Sequence, residues 1–71
     1  MKSAKVQHYE ASMHSALASK DFTRASIASL YRTGVHSASR DDVDWSAINR
    51  AIVARWSVSA LTWIKREAWK P

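Results

Sequence analysis

Arg50, Arg55, Lys65, Arg66 and Lys70 all fall between positions 50 and 71, where Glu67 is the one acid that opposes them. Trp63 and Trp69 are interleaved with these cations. Groups that can neutralise phosphates, set among indoles that can stack on bases, have the composition of a nucleic-acid-binding surface. Ser59 and Thr62 add hydroxyls able to donate to phosphates and base edges. The candidate contact set is therefore Arg50, Arg55, Ser59, Thr62, Trp63, Lys65, Arg66, Trp69 and Lys70, with the cations on phosphate and Trp63 as a stacking or wedge group. The same Trp and Arg residues also suit a protein-interaction hot spot, so an acidic protein surface is the alternative partner. An interfacial helix on a membrane is disfavoured, because Glu67 interrupts the basic face and Ala and Ser dilute the apolar one.

Catalysis has little to stand on. His8 and His14 would lie on different sides of a helix and His36 falls in a loop, so no histidine pair has metal-ligand spacing. The absence of cysteine excludes thiolate ligands, thiol nucleophiles and disulfides together. No serine sits in G-x-S-x-G or S-x-x-K, and Glu10 and Glu67 are isolated carboxylates. Asp41, Asp42 and Asp44 cluster where a helix should start, and acids there complement the helix dipole. The single glycine leaves no loop to cradle a phosphate. The reading is a noncatalytic binding protein with no cofactor and no metal.

These residues must be positioned by a chain of 71 residues, 46% hydrophobic and 24% charged, with a formal net charge of +5. That length supports one domain, and a single core of this size is marginal enough that a homodimer would help. No apolar run is long enough to span a membrane. The opening MKSAKVQHYEAS lacks the apolar stretch of a signal peptide, so an intracellular, cytoplasmic protein is expected. One Gly and one Pro in the whole chain argue against hairpins and sandwiches and for helices on short connections. The expected class is all-α, a small bundle of three or four short helices.

A helix over residues 3–19 follows from Val6, Tyr9, Met13, Ala16 and Leu17 at spacings of three and four. A second, over residues 22–33, carries Phe22, Ala25, Ile27, Leu30 and Tyr31, with Asp21 as its cap and Gly34 as a left-handed terminator. Residues 3–33 then form a helical hairpin, and residues 34–43 a loop. Within that loop Ser39 and Asp42 have capping-box spacing, with Asp44 as a competing N-cap. Residues 44–70 form the basic, Trp-rich helical segment. Trp45, Ile48, Ile52 and Trp56 make one stripe there, and Leu61, Ile64 and Ala68 make another, about 120 to 160° away on a continuous helix. The two stripes favour a break at Ser57-Val58-Ser59, where a serine can cap a new start. Against a break, Trp63 falls in line with Trp45 and Trp56 if the helix continues. With the break, Trp45 and Trp56 belong to the core and Trp63 points outward beside Arg66 and Lys70.

Two short resemblances accompany this reading. Residues 16–25, Ala-Leu-Ala-Ser-Lys-Asp-Phe-Thr-Arg-Ala, resemble the turn of a tetratricopeptide-type hairpin, which implies two helices folded back on each other. Ala51, Trp56, Leu61 and Ile64 are spaced similarly to the apolar positions of a DNA-binding helix-turn-helix, which implies a recognition helix after the break. Arg55 stands where that motif usually has Gly, and Arg50 where it is usually apolar.

Overall fold

The computed structural model describes residues 2–71, and its order is α1 (Ala4–Ala18), α2 (Arg24–Val35), a 3-10 turn (Arg40–Asp42), α3 (Trp45–Arg55) and α4 (Val58–Ala68). The all-α class holds, with four α-helices among the described residues. Each helix begins where a short polar side chain can satisfy an amide left unpaired in the first turn. Ser3, Thr23, Asp44 and Ser57 accept from the amides of Val6, Ser26, Ala47 and Ala60, each at 3.2 Å. Thr23 corrects one expected start, and Asp44, the competing N-cap, prevails over the Ser39–Asp42 capping box at another. Thr23, not Asp21, caps α2; Asp21 lies in the preceding turn, where its amide donates to the Ser19 hydroxyl. Phe22 consequently falls outside the helix and is exposed. The Ser39–Asp42 capping box does not form, because those residues flank and build the 3-10 turn and α3 starts one step beyond Asp44.

Gly34 is another correction. It is a buried residue inside α2, and every φ among the described residues is negative. Its lack of a side chain serves close approach rather than a left-handed turn. A Cβ built there would stand 2.4 Å from the Tyr9 hydroxyl and 2.5 Å from Trp45 Cη2. The two rings that cross Gly34 pack edge-on to each other, with centroids 6.0 Å apart.

The break between the last two helices forms as the two stripes require. Trp56 leaves α3 at φ −123° and ψ −87°, and Ser57 is fully extended at φ −174° and ψ 172°. That turn lets Ile48 and Ile52 of α3 and Ile64 of α4 face the same interior, with Met13 and Ile27 supplied by α1 and α2; all five have no exposed surface. Every helix thus contributes to one core, and the Cα radius of gyration of 11.3 Å is that of a single domain of this length. The N-terminal pair is not self-sufficient, because α2 packs most extensively on α4 and α1 as much on α3 as on α2. The small Ala68 in the buried face of α4 meets the end of α2, where its carbonyl accepts from Arg32 Nη1 at 3.4 Å.

Hydrogen bonds between helices complete the frame. The Tyr9 hydroxyl donates to the Leu30 carbonyl at 2.6 Å, and Tyr31 to Asn49 Oδ1 at 2.8 Å. Burial pushes both phenols above their ordinary range, so they remain neutral donors. Glu10 accepts from Lys2 Nζ at 2.6 Å and from the Asp44 amide at 2.7 Å, which fastens the start of α3 to α1. The Lys2 hydrogen bond first, and the Asp44 amide second, hold the Glu10 carboxyl below its ordinary value of 4.5. A lowered folded-state pKa contributes stability that is present in full above the unfolded value and is lost as pH falls through the folded value. Thermal melts should therefore lose stability on acidification below about pH 4.5, and Glu10→Gln should flatten that part of the profile. An unchanged profile would remove Glu10 from the acid response.

Candidate functional site

Because Ala60, Ile64 and Ala68 are held in the core, the opposite side of α4 must face outward. Val58, Ser59, Thr62, Lys65, Arg66 and Trp69 form that side, and all six are exposed. Val58 retains 66% and Trp69 54% of their surface. The Thr62 hydroxyl donates back to the Val58 carbonyl at 3.1 Å, which leaves its oxygen as an acceptor. Trp69 meets the His36 ring at a centroid distance of 5.6 Å. No acid lies on this face. Glu67, on the flank, is half-buried and pairs with Lys70 at 2.6 Å.

The five cations of the candidate set do not share one surface. Lys65 and Arg66 are on the outer face of α4 and form no ion pair among the described residues. Arg50 is exposed on α3 beside a shallow apolar groove lined by Val53, Ala54 and Leu61. Lys70 is taken up by Glu67. Arg55 turns inward: its guanidinium donates to the Ala16 and Leu17 carbonyls at 3.2 Å, reaches the Phe22 carbonyl, and lies 4.3 Å from the Trp56 ring centroid. The reason is electrostatic. The last turn of α1 has no basic residue of its own, and its carbonyls, of which that of Ala16 accepts only the Ser19 amide from the backbone, attract a cation from α3.

Trp63 also departs from its expected outward orientation. It is half-buried and packed against the core. It shares a cleft with Ala25, Ala28 and Ser29 of α2, whose small side chains leave room for an indole. The close approach of α2 to α4 widens the buried arc of α4 until it includes this position. Trp45 and Trp56, expected wholly in the core, are half-buried against it. The helix-turn-helix spacing is kept in part: Ile64 is buried and Ala51 and Leu61 are half-buried, but Arg50 is solvent-exposed. The connection is Trp56 and Ser57 alone, shorter than the usual turn of that motif.

The chain matches no known protein family, no curated protein and no solved structure. The site therefore rests on its own geometry.

A second surface feature escaped the sequence reading. At the end of the bundle where α2, the 3-10 turn, α3 and α4 meet, a groove of about 400 Å³ is lined by Tyr31, Arg40, Asp41, Trp45, Lys65 and Trp69, among others. Its edge runs into the outer face of α4 through Lys65 and Trp69. Tyr31 and Arg40 carry no spacing signal that could have linked them to Lys65, since they belong to separate elements. Among the described residues no cluster of three His, Asp or Glu side chains could hold a metal ion. No helix among them is long and apolar enough to cross a membrane.

Proposed function

We propose that this protein is a noncatalytic nucleic-acid-binding module whose contact surface is the outer face of α4. The observation that carries the reading is the uncovered, acid-free face on which Lys65 and Arg66 stand without carboxylate partners beside the exposed Trp69. Ser59 and Thr62 extend it with polar oxygens, and Arg50 adds a cation from α3. Arg55 and Lys70 leave the contact set, because their charges are already engaged within the fold.

Three available cations imply a modest electrostatic footprint. The logarithm of the binding constant should fall against the logarithm of salt with a slope of about −2 to −3. Fluorescence anisotropy of labelled oligonucleotides at several salt concentrations measures it. Lys65→Ala with Arg66→Ala should weaken binding about tenfold and flatten the slope by about two. Absence of binding at low salt, or a slope indifferent to these changes, would overturn the reading.

The second reading is a protein-interaction module that docks on, recruits or inhibits a larger, nucleic-acid-handling protein. It is favoured by Val58 and Trp69, large apolar groups left exposed on the same face as Arg66. Its mark is an affinity that responds far more to loss of an aromatic anchor than to salt.

A further inference from the structure

We infer that the groove between α2, the 3-10 turn, α3 and α4 receives an unpaired base, so that the preferred ligand is single-stranded nucleic acid rather than a duplex. The inference rests on the nucleic-acid reading above and names the form of ligand which that surface takes.

The floor of the groove is aromatic. Tyr31, only 3% exposed, backs the half-buried Trp45 with centroids 4.7 Å apart and planes inclined at 37°, so the open ring surface belongs to Trp45 in part and to Trp69, which keeps more than half of its surface. The polar atoms of the Trp45 and Tyr31 rings are already engaged. Trp45 Nε1 donates to the Arg40 carbonyl at 2.9 Å, and the Tyr31 hydroxyl to Asn49 at 2.8 Å. What remains for a ligand is the ring surface of Trp45 and Trp69, which accepts any base by stacking, together with the Asn49 amide nitrogen and the Asp41 carboxylate in the lining. The rim supplies charge from two sides, Lys65 from α4 and Arg40 from the 3-10 turn. Arg40 is held loosely, at 4.0 Å from an Asp41 carboxylate that is 96% exposed. Aromatic surface flanked by cations fits a base with a phosphate on either side. A volume of about 400 Å³ lies within the range of small-ligand sites. Bases stacked inside a duplex present only their edges and cannot lie flat on these rings, whereas a single strand can splay one out.

The test is anisotropy with a labelled thymidine oligonucleotide of about twelve nucleotides and a duplex of equal length, with tryptophan emission followed in parallel. Wild type should bind the single strand about tenfold more tightly than the duplex and show quenched emission. Trp69→Ala should lose about tenfold on the single strand and little on the duplex, the size expected for one stacked base. Asp41→Asn, which leaves Arg40 unopposed and removes a repulsive carboxylate, should strengthen single-strand binding severalfold. Equal or tighter binding of the duplex, or a Trp69→Ala loss that is the same for both ligands, overturns the groove inference and leaves the α4 face standing. Failure of both ligands to bind at low salt overturns both.

Discussion

Arg55→Ala should destabilise the fold by about 3 kcal/mol, the scale of removing one charged partner from several hydrogen bonds. The guanidinium closes the C-terminal end of α1 from a position 39 residues away, donating to the Ala16 carbonyl, and also serves Leu17 and Phe22. Alanine leaves three carbonyls without that donor and removes the cation lying on the Trp56 ring. A chain of this length has about 5 kcal/mol of stability in all, so the midpoint of thermal unfolding should drop by about 15 °C. Arg55→Lys should recover less than half of the loss, because an ammonium cannot reproduce the planar fork that spans separate acceptors. Nucleic-acid affinity, measured where the variant is still folded, should change little. An unaltered melt with weakened binding would return Arg55 to the contact surface.

Gly34→Ala should cost about 2 kcal/mol, although alanine is the better helix former by about 1 kcal/mol. The added methyl would meet the Tyr9 hydroxyl at 2.4 Å and Trp45 Cη2 at 2.5 Å, distances at which something has to move. Neither ring is a loose tip. Tyr9 is fastened to the Leu30 carbonyl and Trp45 to the Arg40 carbonyl, so displacement breaks a hydrogen bond as well as the packing. Urea unfolding of Gly34→Ala, Tyr9→Phe and the double variant tests the mechanism. Removing the hydroxyl relieves one of the contacts, so the double variant should be more stable than the sum of the singles by about 0.5 kcal/mol or more. A stabilised Gly34→Ala would mean that propensity outweighs the close approach.

Both expectations concern residues whose roles differ from what spacing alone suggests. Gly34 near the end of a helical run reads as a left-handed terminator, because chain position is the only cue. Its contacts come from Tyr9, 25 positions earlier, and Trp45, 11 positions later. Arg55 reads as one more cation in a basic segment, since nothing near it in the chain signals that the last turn of α1 lacks a counter-charge. Trp63 reads as outward on the stripe of Leu61, Ile64 and Ala68, and is drawn inward because α2 presents small residues opposite it.

The features legible without coordinates are the local ones. The helical face of Val6, Tyr9, Met13, Ala16 and Leu17 follows from periodicity, and so does the break after Trp56. Ser57 at that break follows from the chemistry of a hydroxyl before free amides. Basic charge concentrated after position 50 follows from counting. Each depends on residues within a few positions of one another, where backbone geometry is known in advance. Which cations remain available, which indoles are covered, and that Tyr31, Arg40, Trp45, Lys65 and Trp69 border one groove depend on how four helices pack. That packing is set by a core drawn from every helix and by hydrogen bonds such as Arg32 to the Ala68 carbonyl, 36 residues apart, for which the linear pattern carries no periodic trace.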